Sequence, residues 1–349
     1  MKLKRILSLL LIFVILCFTA CSAPSAVKPQ ENKIFVYFID VAQADCALIS
    51  LNGENMLIDG GNVEDAYQVI SFIKGLGIST LDYVIASHAH EDHVGGLADI
   101  IDAFTVKNIY SPTTEYSSAC FKDFVAASNR QCGITEAKGG EQWMLSQALV
   151  KILYSNAKAE ETNNTSIVLR IDYFDASFLF TGDLEHDEEV IMVENGLNLS
   201  ASVLKVGHHG SDTSTSYLFL RQVLPEIAVI SCGKDNSYGH PHQTTLDKLT
   251  QSGATIYRTD LLGTVCVYSD GVNIFVDNGK ETSTHKPTDA TPGLEQGAPE
   301  SNVYIGNKNS KKFHLPSCSS LPAENNRVLF SSREDAVNNG YSPCGICKP

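Results

Sequence analysis

Short apolar runs alternate with polar turns and amphipathic stretches between about residues 33 and 278. Apolar runs of four to eight residues predict strands, and apolar positions that repeat at i, i+3 and i+4 predict helices. Asn52-Gly53 between two such runs is a strong hairpin signal. The predicted strands span 34–39, 46–51, a run ending at Asp59, 81–87, 148–154, 166–172, 176–181, 202–206, 227–231, 254–257, 264–268 and 273–276. The predicted helices span 64–76, 94–104, 185–195, 215–223 and 243–252.

The order of these elements predicts an α/β fold. Two blocks of strands are separated by helical stretches, which favours two sheets packed face to face with helices outside, an αβ/βα sandwich. The predicted core domain spans 33–278. Residues 279–300 are rich in Thr, Pro, Gly, Glu and Ser, a composition typical of linkers. Residues 301–349 predict a small C-terminal module.

The N-terminal segment 1–21 has the layout of an export signal. Basic residues precede an apolar run over 6–18, and Thr19-Ala20-Cys21 follows. Residues 18–21 resemble the lipobox of bacterial lipoproteins, which implies that Cys21 is lipidated and that residues 22–32 are a tether. The protein is then expected at the outer face of the cell membrane, held by its lipid anchor. A plain signal peptide or an uncleaved anchor is the alternative, although the run is shorter than the roughly 20 residues of a spanning helix.

The charge balance bears on the substrate. A net charge of −14 opposes nucleic-acid binding by charge alone, because phosphate backbones are usually bound by clusters of Lys and Arg. The C-terminal module differs, since it has a basic face that is either a candidate DNA contact or a solvated surface. That face comprises Lys308, Lys311, Lys312, Arg327 and Arg333.

Five cysteines are scattered through the predicted core domain, at positions 46, 120, 132, 232 and 266. An odd number argues against a complete disulfide framework. Buried thiols are therefore the expectation for most of them, and a Cys120–Cys132 bridge stays open.

A cluster of histidines directly follows the predicted strand 81–87. The sequence His88-x-His90-x-Asp92-His93 places four potential ligands within one turn, while the strand fixes their base. Imidazole and carboxylate are the usual ligands of zinc-like ions. The spacing predicts a metal site.

The same motif is the signature of the metallo-β-lactamase superfamily. Within that superfamily the chain resembles the extracytoplasmic hydrolase domain of the competence protein ComEC and its stand-alone relatives. Ala42 and Ala44 stand where that family usually has Gly. The matching stretches occur in family order: 38–45 (FIDVAQAD), 57–61 (LIDGG), 88–93, 163–169 (NNTSIVL), 180–183 (FTGD), 204–211 (LKVGHHGS) and 238–242 (YGHPH).

The resemblance implies two divalent metal ions, zinc or manganese, and a set of ligands. The first ion would be held by His88 and His90, the second by Asp92, His93 and His209, and Asp183 would bridge both. The superfamily commonly supplies a third histidine to the first ion where this chain has Asn163 and Asn164. Asparagine binds weakly through oxygen, so these two residues are possible weak ligands.

The resemblance also implies catalytic roles beside the metal ions. Asp92 would orient the attacking water or accept its proton, and His208, His240 and His242 would bind the phosphate or protonate the leaving oxygen. A purely structural role for His240-Pro241-His242 is the alternative.

Four further polar residues are expected to hold metal ligands by hydrogen bonds. Asp40, Gln43 and Asp45 follow the first predicted strand, where a local turn role is equally open. Asp59 precedes Gly-Gly, which permits close approach of the backbone to the histidine loop.

The C-terminal module carries its own metal motif. His314-x3-Cys318 and, after a predicted helix near 332–339, Cys344-x2-Cys347 form a set suited to structural zinc, which a module this small needs. The module resembles the zinc-binding module of the Ada DNA-repair protein, with His314 where Ada has its first Cys. A Cys344–Cys347 disulfide is the alternative.

These observations predict a secreted, lipid-anchored, metal-dependent hydrolase, a phosphodiesterase or nuclease that acts on extracellular DNA. One alternative substrate is a cell-wall phosphodiester polymer, such as teichoic acid or a phosphorylcholine polymer. An alternative of another class is a non-catalytic surface-binding lipoprotein. No protein partner can be inferred.

Overall fold

The first apolar run forms β1 (Ile34–Phe38), an inner strand of a nine-stranded sheet. Alternate residues of β1 face two different cores, one on each side of the sheet. A strand covered on both faces needs apolar residues at every position, which explains the unbroken run. The computed structural model describes residues 26–277, 282–285, 304–314, 318, 320–323, 326–330, 333–345 and 347.

The first sheet combines an antiparallel half with a parallel half. Its strands after β1 are β2 (Ala47–Leu51), β3 (Glu54–Ile58), β5 (Tyr83–Ile85), β7 (Ile109–Ser111), β8 (Ile134–Glu136), β16 (Val265–Ser269), β17 (Ile274–Asp277) and β18 (Thr282–His285). A separate two-stranded ribbon pairs β4 (Thr80–Leu81) with β6 (Thr105–Val106). The strand order of the sheet is β18-β17-β16-β1-β2-β3-β5-β7-β8. Pairing is antiparallel from β18 to β3 and parallel from β3 to β8.

The second sheet has seven strands and is divided in the same way. Its strands are β9 (Gln142–Leu145), β10 (Ala148–Tyr154), β11 (Val168–Tyr173), β12 (Ala176–Phe180), β13 (Val203–Lys205), β14 (Ile227–Ile230) and β15 (Thr255–Arg258). Their order in the sheet is β15-β14-β13-β12-β11-β10-β9. Pairing is parallel from β15 to β12 and antiparallel from β12 to β9.

Helices of the core domain lie on the outer faces of the two sheets. Short 3-10 turns span Val63–Asp65 before the first helix, Thr162–Thr165 between β10 and β11, and Gly207–Gly210 after β13. The helices on the first sheet are α1 (Ala66–Gly75), α2 (Glu91–Val94), α3 (Leu97–Ala103) and α4 (Ala119–Arg130). The later helices are α5 (His186–Glu194), α6 (Tyr217–Val223), α7 (Gln243–Gln251) and α8 (Thr259–Leu262), and α5 to α7 pack on the second sheet.

Three buried clusters correspond to the layers of a sandwich. One fills the space between the two sheets, one lies between the first sheet and α1 to α4, and one lies between the second sheet and α5 to α7. The predicted αβ/βα sandwich is therefore confirmed. In the part of the chain that the structure describes, no helix is both long and apolar enough to cross a membrane.

Several elements differ from their predicted bounds. The predicted helix 94–104 is two helices, α2 and α3, and the sequence analysis did not predict α4, β8 or β9. Strand β18 lies inside the predicted linker 279–300 and pairs with β17, so the first sheet extends beyond residue 278. His285 in this strand is half-buried, and its Nε2 lies 3.2 Å from the Tyr257 hydroxyl.

The predicted export signal, with Cys21, lies outside the described residues. The described end of the predicted tether packs on the domain, since the Tyr37 hydroxyl donates to the Val27 carbonyl at 2.6 Å. Cys46, Cys120, Cys232 and Cys266 are buried thiols, and no disulfide forms among the described cysteines. The Cys120–Cys132 bridge is absent.

The described residues of the C-terminal module form a four-stranded sheet and one helix, which falls within the predicted range near 332–339. The elements are β19 (Tyr304–Asn307), β20 (Lys312–His314), β21 (Arg327–Phe330), α9 (Arg333–Asn338) and β22 (Ser342–Pro343). The strand order is β21-β19-β20-β22. Its small core comprises Tyr304, Phe313, Phe330, Ala336 and Tyr341.

Candidate metal centre

The histidine loop leaves the first sheet at the end of β5 and turns into α2. It is pressed against the end of β3, because a Cβ on Gly96 would lie 2.3 Å from the Gly60 carbonyl oxygen. Gly60 N also donates to the His93 carbonyl at 2.7 Å. Only glycine at position 96 permits this approach, and glycine at position 60 is needed as well, because a Cβ there would lie 3.0 Å from Leu97 N.

Asp183 lies at the centre of the site. It follows β12 through Gly182, which has a φ of 52° and where a Cβ would meet Ser166 Oγ at 2.8 Å. Ser166 Oγ accepts a hydrogen bond from Asp183 N at 3.1 Å. The Asp183 Oδ2 atom lies near one ring nitrogen of four histidines: His93 at 3.3 Å, His209 at 3.7 Å, His208 at 3.9 Å and His88 at 4.0 Å.

His93 is oriented by Asp59. Its Nδ1 donates to Asp59 Oδ2 at 2.9 Å, which turns Nε2 toward Asp183. Asp59 also accepts bonds from Ser87 N and Ser87 Oγ, both at 2.7 Å, so the carboxylate is itself fixed. Burial alone would lower the pKa of His93, but the carboxylates of Asp183 and Asp59 raise it well above its usual range.

His209 is oriented by a buried ion pair. Its Nδ1 lies 3.1 Å from the Ser231 carbonyl oxygen and 3.3 Å from Asp45 Oδ1. The other Asp45 oxygen accepts from Lys205 Nζ at 2.7 Å, and both charged side chains are buried. Burial lowers the pKa of His209, but Asp183 and Asp45 raise it to about 10. The negative charges of Asp183 and Asp45, which hold a proton on this ring, would also stabilise a divalent cation.

The backbone separates two neighbouring histidines. His208 and His209 both have left-handed conformations, with φ of 49° and 52°. Such conformations cost roughly 1–2 kcal/mol per residue and are found at functional sites. His209 is buried against Asp45, while His208 stays partly exposed at the rim.

His88 and His90 face each other beside this group. His88 Nε2 lies 3.0 Å from His90 Nδ1, so both nitrogens point to one place. Burial is the main reason that the pKa of His88 lies well below its usual range, and this favours the neutral form that binds metals. His88 Nδ1 lies 3.2 Å from the Ser87 hydroxyl.

Asp92 lies at the mouth of the site, with its side chain 33% exposed. Its carboxylate oxygens are 3.9 Å from His93 Nε2 and 3.3 Å from His209 Nε2. Burial would raise the pKa of Asp92, but these two imidazoles lower it to about 2. Asp92 is therefore an ionised carboxylate that can reach both the metal ligands and solvent.

This donor set fits divalent cations. One donor atom from each of Asp92, His93, Asp183 and His209 lies within 4.8 Å of the others. His93 Nε2, His209 Nε2 and Asp183 Oδ1 are buried without a hydrogen-bond partner, which is costly unless a cation binds there. Nitrogen and carboxylate donors match zinc-like ions.

The two asparagines differ in their contacts. Asn164 Oδ1 accepts from Glu185 N at 3.0 Å, so this oxygen stabilises a turn. Asn163 Nδ2 donates to Glu185 Oε1 at 3.2 Å, while its Oδ1 is buried without a hydrogen-bond partner. Of the two predicted weak ligands, the geometry favours Asn163.

His208 is connected to Glu185 through Thr213. Thr213 Oγ1 donates to Glu185 Oε1 at 3.0 Å, and this carboxylate can only accept. The bond of 3.1 Å between Thr213 Oγ1 and His208 Nδ1 is then donated by the ring. His208 Nε2 is thereby left facing Asp183.

Gln43 connects the first strand to the loop that carries His240. Its Oε1 accepts from Gly233 N at 3.0 Å, and its Nε2 lies 3.2 Å from His240 Nδ1. With the oxygen engaged, Gln43 Nε2 is the donor, and the His240 proton is on Nε2. The pKa of His240 is lowered to about 4, mainly because the ring is partly buried and to a smaller extent because the imidazoles of His209 and His208 lie nearby.

His242 has both ring nitrogens engaged. Nδ1 accepts from Asp212 N at 3.0 Å, and Nε2 lies 3.3 Å from the Tyr238 carbonyl oxygen. Its predicted role in phosphate binding does not fit this geometry, and His242 acts as a brace for the loop. Asp40 accepts from Ala42 N at 3.2 Å, the local turn role left open above.

The C-terminal module brings its predicted ligands together. His314, Cys318, Cys344 and Cys347 each offer one donor atom within 4.8 Å of the others. Hydrogen bonds from Ser320 and His314 lower the pKa of the Cys318 thiol to about 6. No disulfide joins Cys344 to Cys347, so the zinc interpretation fits better than the alternative.

Three residues of the site were missed by the sequence analysis. Glu185 and Thr213 lie in polar surroundings, where no pattern distinguishes them. Lys205 had a visible signal, because a lysine inside the apolar run Val203-Leu204-Lys205-Val206 must find a buried partner.

Comparisons with known proteins agree with this site. The Metallo-beta-lactamase superfamily model matches residues 39–145 and 156–234, and the model of the metal binding domain of Ada matches 296–349. Both domains imply bound metal ions.

The curated relatives include a ComE operon protein and a competence protein. ComE operon protein 3 of Bacillus subtilis is 30% identical over 75% of this chain and 36% of its own length. Competence protein ComA of Neisseria gonorrhoeae is 31% identical over 69% of this chain and 33% of its own length. The chain thus spans about a third of the length of these relatives.

Among solved structures, the metallo-beta-lactamase fold protein YhfI of Bacillus subtilis matches with a TM-score of 0.47. It is 11% identical, and the match covers 68% of this chain and all of that one. On the evidence of the family models and the competence relatives, the chain belongs to the metallo-beta-lactamase superfamily and carries an Ada-like zinc-binding domain at its C-terminus.

Proposed function

We propose that this protein is a lipid-anchored, metal-dependent phosphodiesterase that hydrolyses DNA at the outer face of the cell membrane. The observation that carries the proposal is the position of Asp183 Oδ2 within 4.0 Å of four histidines, beside donor atoms that have no other partner. A domain that had lost catalysis would have no need to bury this many charged groups together.

Two divalent ions at this centre, zinc or manganese, would neutralise charge on a phosphodiester and lower the pKa of the attacking water. The predicted set of residues would hold them, with His88 and His90 for one ion, Asp92, His93 and His209 for the other, and Asp183 for both. Asn163 Oδ1 is a weak oxygen ligand for the first ion.

Asp92 is placed to take up a proton. It is ionised, it lies at the mouth of the site, and its side chain is one-third exposed. A carboxylate in this position orients a water molecule and accepts its proton during attack on phosphorus.

His240 and His208 are placed to bind the phosphate. His240 is neutral with its proton on Nε2, so it donates a hydrogen bond to a phosphate oxygen and does not bring a positive charge. His208 presents Nε2 beside Asp183, on the side of the site that opens to solvent. Because its Nδ1 proton is donated to Thr213, His208 would donate to the phosphate or the leaving oxygen only with a second proton on Nε2. The His240 contact would strengthen as negative charge develops on the oxygens in the transition state.

The choice of DNA is supported by the competence relatives and by the basic residues of the C-terminal module. Placement outside the cell is supported by the sequence of the N-terminal segment, with Cys21 as the lipidation site. DNA as the substrate and the outer face of the membrane as the location are therefore both parts of the proposal.

The test uses the purified full-length protein with single- and double-stranded DNA, in manganese, zinc or chelator. We expect cleavage that needs added metal and is abolished by Asp183→Ala. Asp172→Ala, which alters a carboxylate in β11 away from the site, is the matched control and should cleave normally. Thermal melts of both variants separate loss of folding from loss of the metal centre.

The outcomes discriminate among the candidate functions. If DNA stays intact while bis-p-nitrophenyl phosphate is cleaved, the DNA part of the proposal is wrong and cell-wall polymers become the leading substrates. If neither compound is cleaved in any metal, the protein is a non-catalytic surface-binding lipoprotein.

A further inference from the structure

Three aromatic rings lead from the metal centre to solvent. His209 and His240 lie 6.4 Å apart between ring centres with 22° between their planes, and His240 and Tyr238 lie 5.6 Å apart with 24°. The outermost ring, Tyr238, is 67% exposed. One face of this ring is covered by His240, and its exposure leaves the other face open to a ligand.

Tyr238 is held by a rigid loop. Asn236 Oδ1 accepts from Tyr238 N at 3.2 Å and from His240 N at 3.0 Å. His242 Nε2 lies against the Tyr238 carbonyl oxygen at 3.3 Å, and Gln43 joins the two ends of the loop. An exposed aromatic ring on a fixed backbone binds a ligand with little loss of conformational entropy.

Other aromatic residues do not offer the same surface. The Tyr116 ring centre lies 6.5 Å from that of His90, but this ring packs against Phe121 and is partly buried. Phe174 is 71% exposed, but it lies in the turn between β11 and β12, at the end of β12 away from Asp183. Among the described residues, Tyr238 is the exposed ring that stacks on a histidine of the site.

We propose that Tyr238 is a stacking platform for a nucleobase next to the scissile phosphate, and that it selects nucleotide diesters over alkyl phosphodiesters. The inference rests on the proposed phosphodiesterase function and specifies its substrate class. Any base can stack on an aromatic ring, so the platform tolerates sequence. Stacking on Tyr238 would also contribute affinity for a nucleic acid, which an acidic protein cannot gain by attracting the phosphate backbone.

A flat base fits this surface better than a quaternary ammonium group does. Trimethylammonium groups are usually enclosed by several aromatic rings. Tyr238 has one open face and is backed by His240, an arrangement that suits a planar ligand lying parallel to the ring.

The experiment compares a labelled oligothymidylate with the same backbone carrying abasic residues, using the full-length protein in manganese. We expect wild type to prefer the base-containing strand about tenfold in kcat/KM, mainly through KM. Tyr238→Phe keeps the aromatic ring and should keep the preference. Tyr238→Leu should cleave the two strands at similar kcat/KM. Phe174→Leu is the matched control and should behave as wild type.

Two results would overturn the platform: equal cleavage of both strands by wild type, or equal losses on both strands in Tyr238→Leu. The second result would mean that the ring only supports His240. If wild type cleaves neither strand, the proposed function fails, and the platform is judged by binding in chelator. There, wild type should bind the base-containing strand about tenfold more tightly, and Tyr238→Leu should bind both alike; equal binding by wild type would refute the platform as well.

Discussion

The two sides of the metal centre are supported in different ways. On the second-ion side, His93 and His209 each face a fully buried carboxylate, Asp59 or Asp45, and the Asp45 charge is balanced by Lys205. On the first-ion side, His88 faces the Ser87 hydroxyl. Asn163 and Thr213 both donate to the carboxylate of Glu185, whose side chain is 26% exposed. Direct buried carboxylates increase ligand basicity and fix ring orientation more strongly than neutral or shared partners do. The second ion should therefore bind more tightly than the first.

The largest expected effect comes from breaking the ion pair behind His209. Lys205→Met leaves the Asp45 carboxylate buried without its cation, and we expect a loss of about 3–5 kcal/mol in the free energy of unfolding. Urea unfolding measures it. Lys151→Met removes a partly exposed pair with Asp172 and should cost no more than about 1 kcal/mol.

The double variant Asp45→Asn/Lys205→Met should recover most of that stability, because it removes both charges together. If Lys205→Met unfolds no more easily than Lys151→Met, the second-ion side does not depend on a buried charge pair and the contrast between the two sides fails.

An intermediate effect is expected from strengthening the first-ion side. Asn163→His adds an imidazole where an oxygen ligand is proposed, and zinc prefers nitrogen to an amide oxygen. We expect zinc affinity at that side to rise more than about tenfold, since changing a residue behind a ligand already shifts metal affinity by roughly 10–100-fold. Metal titration followed by mass spectrometry of bound zinc measures the change.

Asn164→His is the matched control, because the Asn164 oxygen is already used by Glu185 N. The zinc of the C-terminal module contributes equally to both variants. Equal zinc content in the two variants would show that Asn163 does not face the first ion.

The smallest effect is expected at Thr213. Thr213→Val removes the hydroxyl between His208 and Glu185 while keeping the side-chain shape, and we expect about a tenfold loss of kcat with unchanged metal content. Thr213→Ser retains the hydroxyl and should keep most of the activity on bis-p-nitrophenyl phosphate. If both variants lose activity equally, packing of the methyl group matters and the hydrogen bond does not.

The sandwich could be predicted because its strands are covered on both faces and read as unbroken apolar runs. Helix α4 was missed because its buried positions include small or polar residues. They follow helical spacing, but Ala127 and Ser128 dilute the apolar pattern that Phe121 and Phe124 would otherwise make visible. A pattern based on hydrophobicity alone does not detect such a helix.

The clustering of the candidate metal ligands could be predicted because histidine and aspartate side chains at this spacing are typical of metal sites. The partners behind them could not, since a hydrogen bond between Asp45 and Lys205 joins residues 160 positions apart. His242 was assigned to the phosphate by its motif, whereas only the fold shows that both of its nitrogens are engaged. The sequence shows which side chains could bind a metal ion or a phosphate, and the fold shows which of them are not already engaged in other hydrogen bonds.

The left-handed backbone at His208 and His209 makes one short segment serve both sides of the centre. Because successive side chains diverge there, one ring reaches the buried ion pair and the next reaches the open rim. An insertion or deletion in this segment would displace a proposed metal ligand, His209, and a proposed substrate contact, His208, together, so new substrate preferences are difficult to evolve through it. The loop over 234–242 carries Tyr238 but no proposed metal ligand, and the Tyr238 side chain is 67% exposed. A substitution confined to Tyr238 would therefore alter a proposed substrate contact and leave the proposed metal ligands in place.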